Sequence, residues 1–207
     1  MPQERQIVHL VRHGQTEMNV HLHNCSPAFG EPGFIDTKLT AAGIKQAQRL
    51  SETLSLQPEM IIVSPLTRAL HTAALAFPPE AHPNIPRIVH PLARERLYMS
   101  SDRGRPHHML ADEYEGHDWS LLPHDTPWWG PPGDPDGIET LEDLLRRVEG
   151  LRMWLEGRPE RCLVLVAHWA VLQALTGRDF RNCEVQEWYT DRLKARPWVL
   201  EGAVCIS

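Results

Sequence analysis

The chain has 207 residues, of which 42% are hydrophobic, and it carries a formal net charge of −6 at pH 7. This size and composition are typical of a globular protein with a full core, so we treat residues 1–207 as a single domain. The acidic balance provides no basic stripe for a phosphate backbone, so we expect no nucleic-acid partner. No stretch approaches the roughly 18 apolar residues of a membrane span, so we expect no membrane partner and a cytoplasmic protein.

Cysteine and histidine spacing argues against disulfides and metal sites. The four cysteines show no close pairing, and two of them fall in apparent strands; they are Cys25, Cys162, Cys183 and Cys205. Free buried thiols are the favoured interpretation, which suits a reducing compartment. The histidine pairs at 21/23 and 107/108 lack further ligands at defined spacing, so we predict no metal.

The order of the predicted elements indicates an α/β fold. Apolar runs at 7–11, 60–63, 87–90 and 162–167 are predicted strands, and the last is apolar throughout, as a strand covered on both faces must be. Helical spacing predicts helices at 40–54, 138–156 and 169–176, and another that ends near residue 76 and starts with Ser64 as its N-cap. Residues 184–189 and 198–206 are predicted to extend the sheet as a hairpin. Strands alternating with helices predict a mainly parallel central sheet flanked by helices on both faces.

One long segment interrupts this alternation. Proline, glycine, histidine, aspartate and tryptophan crowd the stretch between Glu95 and Gly137, which shows no sustained periodicity. Loops of this length inside a compact domain are usually functional or disordered, so we predict a loop-rich lid insertion over about 96–137. Within it, Trp128 and Trp129 are suited either to stacking on a sugar, a base or an apolar leaving group or to forming the core of the lid.

Charged side chains follow four of the predicted strands. Arg12 and His13 follow the first strand, Arg68 lies shortly after the second, Glu95 after the third and His168 after the fourth. In an open parallel sheet these strand ends share one edge, where α/β proteins place their chemistry. Two arginines, two histidines and a carboxylate at one edge would suit a tetrahedral anion, because a guanidinium fork offers paired donors to phosphate oxygens.

The residues around these positions resemble a known family. The segment LVRHGQTEMN at 10–19 resembles the signature of the histidine phosphatase superfamily, in its phosphoglycerate mutase-like branch. Further matches follow in the family's order: DTKLTAAGIKQA at 36–47, SPLTRALHTA at 64–73 and VLVAHWAVL at 164–172. The matches span residues 6–176. They imply a phosphoglycerate mutase-like fold and a metal-independent phosphomonoesterase that needs no cofactor.

The resemblance implies a covalent mechanism on a small phosphorylated substrate. His13 would become phosphorylated, which requires a neutral imidazole, and two neighbouring arginines favour that form by disfavouring a third positive charge. Arg12, Arg68 and His168, with Asn19 as a neutral donor, would hold the non-bridging oxygens of the phosphoryl group.

Glu95 falls where the family keeps its acid. It would protonate the departing alkoxide and then take a proton from the water that hydrolyses the phosphohistidine, so we expect a raised pKa. Three other carboxylates lie in the same loop-rich region and could take this place instead: Asp102, Glu113 and Glu115.

Further substrate or phosphate contacts are expected from Gln15, Thr16, Trp169 and Arg103. Trp169 stands where the family usually has glycine, so its ring would crowd or line the pocket. Arginines around the acid are open to two interpretations, a solvated basic face or a second anion site for a carboxylate or phosphate of the substrate. They are Arg94, Arg96, Arg103 and Arg105.

The residues after the acid favour hydrolysis over phosphoryl transfer to another hydroxyl. Mutases of the family carry roughly Glu-Arg-His-Tyr-Gly there, whereas this chain has ERLYMS at 95–100. We therefore predict a phosphatase, with a phosphomutase of the same chemistry as the alternative. A non-catalytic phosphate-binding module is a further alternative, for which Trp169 leaves room. The sequence is compatible with a homodimer.

Overall fold

The core of the protein is a five-stranded sheet. The computed structural model describes residues 5–24, 32–124, 126–131 and 133–197. Its strands are β1 (Ile7–Arg12), β2 (Met60–Val63), β3 (Arg87–Val89), β4 (Cys162–Ala167) and β5 (Val185–Tyr189), in the spatial order β3-β2-β4-β1-β5. β1 to β4 pair in parallel and β5 runs antiparallel to β1, so the predicted mainly parallel sheet is confirmed.

Helices cover both faces of this sheet. They are α1 (Glu17–Asn24), α2 (Ala41–Thr53), α3 (Thr67–Ala76), α4 (His107–Glu113), α5 (Leu141–Glu156) and α6 (Trp169–Thr176). Alternate strand positions point to opposite faces. In β1, Val8 and Leu10 accordingly pack with α5 and α6, whereas Val11 packs with α3. The predicted α/β layering is therefore confirmed.

Two helix starts differ from the prediction. α5 begins at Leu141 rather than at residue 138, because the hydroxyl of Thr140 accepts a bond from the Asp143 amide and caps the helix there. α3 begins at Thr67, so the prediction of Ser64 as its N-cap was wrong. The carboxylate of Asp36, from a distant segment, accepts the Thr67 N–H at 2.8 Å and fills the capping role. The predicted strand at 198–206 lies outside the described residues.

The segment 96–137 divides into two parts. Its first residues, 96–102, run beside the carboxyl ends of the parallel strands and end in a short 3₁₀ turn, Ser100–Asp102. The remainder contains α4 and covers the edge strand β3, where the backbone of Asp118 bonds to Val89 and Arg87. Trp128 is buried in the core, its indole N–H donating to the Arg105 carbonyl, and Trp129 packs on the same cluster.

Two glycines in the segments 10–19 and 36–47 permit a close backbone contact. A Cβ on Gly14 would lie 2.7 Å from the Gly43 carbonyl oxygen, and one on Gly43 would lie 2.1 Å from the Gln15 carbonyl oxygen. Any larger residue at either position would push α2 away from the turn that follows β1. These glycines therefore fix the position of the turn that carries His13.

No helix in the described ranges is long and apolar enough to cross a bilayer. Cys162 and Cys183 are free thiols. Cys25 and Cys205 lie outside the described residues.

Candidate active site

A cavity of about 430 Å³ opens at the carboxyl ends of the parallel strands. Of the residues that the sequence predicted for a site, those that line it are Arg12, His13, Thr16, Asn19, Arg68, Glu95 and Trp169. They come from the ends of β1 and β4, from α1 and α3, and from the segment after β3. Strand ends far apart in the sequence are thus brought to one place.

His13 lies in this cavity as a neutral imidazole. Its Nδ1 is 2.8 Å from the carbonyl oxygen of Gly14. A carbonyl only accepts hydrogen bonds, so Nδ1 carries the proton and Nε2 keeps its lone pair. Burial holds the pKa of His13 well below its usual value, and the charges of Arg68 and Arg12 lower it further. The side chain is therefore prepared to act as a nucleophile through Nε2.

The two cavity arginines are held by backbone carbonyls. Arg12 donates through Nη1 to the Phe180 carbonyl at 2.6 Å, and Arg68 donates through Nη1 to the Ser101 carbonyl at 2.5 Å. Each guanidinium has five N–H donors, so these bonds orient the group and leave other donors for an anion. Two oriented forks beside a neutral imidazole form a suitable receptor for a phosphoryl group.

Glu95 faces the same cavity with its proton retained at mildly acidic pH. One carboxylate oxygen accepts the Arg96 N–H at 2.8 Å and the other accepts the Ala170 N–H at 3.3 Å. Burial, with the negative charge of Asp102 as the next cause, raises the pKa of Glu95 to about 6, although Arg68 opposes the shift. A carboxyl group with this pKa can donate a proton and take one back near neutral pH.

His168 lies behind His13 and does not line the cavity. Its ring centroid is 5.0 Å from that of His13, and its Nε2 is 2.6 Å from the hydroxyl of Ser64. It is completely buried, and its Nδ1 has no hydrogen-bond partner among the described residues. Burial, and then the charge of Arg68, keeps the pKa of His168 well below its usual value, so this imidazole is also neutral.

The family model described as the histidine phosphatase superfamily, branch 1, matches residues 8–194. The chain belongs to this family.

Other members of the histidine phosphatase superfamily resemble the chain over most of its length. The adenosylcobalamin/alpha-ribazole phosphatase of Salmonella typhimurium is 32% identical over 82% of this chain and 77% of its own. A phosphoglycerate mutase-like protein of Arabidopsis thaliana is 25% identical over 85% of this chain and 75% of its own. The structure of a mycobacterial glucosyl-3-phosphoglycerate phosphatase has 25% identity and a TM-score of 0.56, covering 92% of this chain and 96% of that one.

The cavity also holds a second carboxylate. Asp102 binds Arg68 with 3.0 Å between Oδ1 and Nη2, and its other oxygen accepts the backbone N–H groups of Tyr98 and Met99. Burial raises the pKa of Asp102, while Arg68 opposes the rise. The sequence identified Asp102 only as a competitor of Glu95, and nothing in its spacing indicated the bond to Arg68.

Asn182 is a supporting residue that the sequence did not indicate. Its side-chain amide donates to the His13 carbonyl at 3.0 Å and to the Asn19 side-chain oxygen at 3.1 Å. The same oxygen accepts the Thr16 N–H, so the amide nitrogen of Asn19 is the group left to donate. Asn182 lies in the loop before β5, where no motif or periodicity marks it.

Two predicted contacts lie outside the cavity of this family member. The side-chain oxygen of Gln15 accepts a bond from the Thr40 hydroxyl at 2.9 Å, at the start of α2. Arg103 points to Asp136, with 3.5 Å between nitrogen and oxygen, and both side chains are exposed. Neither side chain lines the cavity that holds His13.

The remaining candidates do not form a metal centre. Within the described ranges, no group of three or more histidine, cysteine, aspartate or glutamate side chains is arranged to hold a metal ion. His107 packs against His124 and Trp119 in the lid. Glu113, another competitor of Glu95, binds Arg105 at 2.8 Å and does not line the cavity.

Proposed function

We propose that the protein is a phosphatase that hydrolyses a small phosphorylated metabolite through a phosphohistidine on His13. The observation that carries the proposal is the bond from Nδ1 of His13 to the Gly14 carbonyl, which leaves Nε2 unprotonated in a cavity that Arg12 and Arg68 also line. In the first step Nε2 attacks phosphorus, a P–N bond forms and the P–O bond to the leaving group breaks.

Glu95 supplies the proton that the first step needs. Its carboxyl group, with a pKa near 6, gives its proton to the departing alkoxide and becomes a carboxylate. Water then attacks the phosphohistidine, Glu95 takes the proton of that water, the P–N bond breaks and phosphate leaves. The enzyme returns to its starting protonation state without a metal or cofactor.

Hydrogen-bond donors held in fixed positions stabilise the charge on the transferring phosphoryl group. Arg12 and Arg68 carry the positive charge, and Asn19 adds a neutral donor from α1. His168 does not line the cavity, so we assign it no direct contact with the phosphoryl group; its ring lies adjacent to that of His13. Preorganised donors of this kind are commonly the largest catalytic contribution, and removal of one typically costs about a hundredfold to a thousandfold in rate.

The similarity to relatives supports the substrate class. The Salmonella relative is named an adenosylcobalamin/alpha-ribazole phosphatase, and the mycobacterial structure is that of a glucosyl-3-phosphoglycerate phosphatase. Both names describe removal of phosphate from a small molecule. We extend that reaction type, and not either substrate, to this chain.

The test is phosphate release from p-nitrophenyl phosphate and a panel of sugar phosphates. We expect turnover by the unaltered protein and a loss of about 10⁴-fold or more in His13→Ala, because the nucleophile is gone. His108→Ala is the matched control, since His108 is exposed in the lid and does not line the cavity. Rapid acid-free quenching of a ³²P-labelled substrate should trap an acid-labile adduct that His13→Ala does not form.

Three outcomes would contradict the proposal. Release that persists in His13→Ala would exclude a phosphohistidine at this position. Isomerised phosphoester without net phosphate release would identify a phosphomutase. Binding of phosphate without turnover of any compound in the panel would identify a non-catalytic module.

A further inference from the structure

Three of the four arginines near the acid are turned away from the cavity and do not form a second anion site. Arg94 binds Glu139 through both Nη atoms, at 3.1 and 3.0 Å, and is buried. Arg105 binds Asp36 and Glu113. Arg103 is turned toward Asp136 outside the cavity. These three positive charges are therefore used within the protein.

Arg96 is the one further arginine that lines the cavity among the described residues. Its Nε donates to the carbonyl oxygen of Glu139 at 2.8 Å. Its guanidinium lies over the ring of Tyr98, with 5.2 Å from carbon to centroid, as in a cation–π contact. The guanidinium of Arg96 and the ring of Tyr98 therefore pack together and form one part of the cavity wall.

Much of the cavity lining is apolar. Three elements provide this apolar wall: α1, the segment 96–102 and the start of α6, through Met18, Leu22, Tyr98, Met99, Trp169 and Ala170. A cavity of about 430 Å³ has room for more than a phosphoryl group, and pockets of this size usually bury most of a small ligand. The space beyond the phosphate is thus suited to apolar contact.

Trp169 is held firmly in this wall. Its indole Nε1 donates to the carboxylate of Asp179 at 3.0 Å, and its ring packs on the core cluster that includes α5 and α6. An aromatic ring fixed in this way offers a flat apolar surface without losing conformational freedom on binding. The position at which relatives are expected to have glycine therefore carries a binding surface here.

We infer that the substrate is a phosphomonoester whose leaving alcohol is uncharged and carries a flat apolar group that packs on Trp169. This inference rests on the proposed phosphatase function and narrows its substrate class. It disfavours leaving groups with a carboxylate or a second phosphate. Arg94, Arg103 and Arg105 are bound to carboxylates of the chain. Arg96, which does line the cavity, donates to the Glu139 carbonyl and packs on the Tyr98 ring.

The experiment compares three esters of alkyl alcohols, so that leaving-group reactivity stays similar. They are 2-phenylethyl phosphate, glycerol 1-phosphate and 3-phosphoglycerate, each assayed for kcat/KM. We expect 2-phenylethyl phosphate to be preferred by about tenfold to a hundredfold, the factor that corresponds to burial of one aromatic side chain.

Variants locate the preference on the wall. Trp169→Ala should reduce the ratio of 2-phenylethyl to glycerol 1-phosphate activity about tenfold, whereas Trp169→Phe, which keeps a ring, should retain most of it. Leu22→Gln is a second test that does not threaten folding, because Leu22 is 48% exposed on α1. Met153→Gln, an equally polar change at an exposed position of α5, is the control and should leave the ratio unchanged.

Failure of this inference differs from failure of the proposed function. Two results would overturn the inference alone. One is hydrolysis that depends on His13 but prefers 3-phosphoglycerate. The other is a ratio of 2-phenylethyl to glycerol 1-phosphate activity that stays at the value of the unaltered protein in both Trp169→Ala and Leu22→Gln. Absence of hydrolysis for all three esters would count against the phosphatase itself.

Discussion

Two carboxylates flank Glu95, and their partners differ. Glu139 binds two arginines, Arg94 and Arg147, each through two nitrogen atoms at 2.7 to 3.1 Å. Burial opposes its ionisation, but Arg147 and Arg94 outweigh this effect and lower its pKa. Asp102 has one arginine, and burial raises its pKa. A carboxylate that binds two cations stays ionised, whereas the protonation of a carboxylate that binds one cation depends more on its surroundings.

This difference assigns different tasks to the two groups. Arg94 and Arg147, both held by Glu139, donate to the carbonyl oxygen of Glu95 at 3.2 and 3.4 Å, so this cluster holds the backbone of the acid. Asp102 instead acts on the Glu95 side chain through its charge, and it binds Arg68 in the cavity. The Glu139 cluster therefore supports position, and Asp102 influences protonation.

The strongest test of the comparison is Glu139→Gln. It leaves two arginines in the interior without a carboxylate, and loss of one partner of a buried ion pair typically costs about 3 to 5 kcal/mol. We expect a decrease of that size in the free energy of unfolding, measured by urea denaturation at pH 7. Asp102→Asn should cost less than about 2 kcal/mol, because the amide still bonds and Arg68 borders the cavity.

The pH dependence of unfolding checks the same assignment. The pKa of Glu139 is lower in the folded state than in the unfolded state, where it is about 4.5. Its ionised form therefore contributes fully to the free energy of unfolding above about pH 4.5, and this contribution is lost as the pH falls through the folded-state pKa. The difference between the unaltered protein and Glu139→Gln should therefore shrink below about pH 4.5. If the difference in free energy of unfolding stays constant down to pH 3, Glu139 stabilises the fold through packing and not through its charge.

Asp102→Asn should have a smaller effect, which we expect in kcat/KM and only in part of the pH range. Glu95 must be protonated to serve as the acid, so kcat/KM of the unaltered protein should decline above about pH 6. Without the negative charge of Asp102 the pKa of Glu95 falls, and the decline moves to lower pH. We expect activity severalfold lower at pH 7 and nearly equal at pH 5.

Comparison on one substrate removes the effect of the substrate's own ionisation, because both proteins act on the same ester. A loss of equal size at every pH would show that Asp102 only positions Arg68. Arg68→Lys is the matched control for that role, since it disturbs the same ion pair and keeps both charges.

Sequence reasoning succeeded where a side chain follows its strand at a short, rigid distance. His13 directly follows β1 and Arg68 lies five residues after β2, so strand position alone places them at one edge. It failed for side chains whose partners depend on the path of a long loop. Asp102 and Asn182 reach the site only through the tertiary fold, and neither belongs to a periodic segment.

Gln15 shows a different limit of the same kind of reasoning. It lies between His13 and Asn19 in one motif, yet its side chain turns to Thr40 because α2 packs tightly against this turn. Membership in a motif therefore indicates a shared local structure, and it does not by itself indicate contact with the ligand.

The smallest expected effect comes from Arg103→Ala. Arg103 forms an ion pair with an aspartate, as Arg68 does, but the 3.5 Å pair with Asp136 is exposed and lies outside the cavity. Exposed pairs contribute at most about 1 kcal/mol, so unfolding should change little, and kcat/KM should stay within about twofold of the unaltered protein. Arg68→Ala provides the contrast, with an expected loss of about a hundredfold or more. A large loss of activity in Arg103→Ala would place a substrate group near Arg103 and would break the distinction between a buried pair that serves the site and an exposed pair that does not.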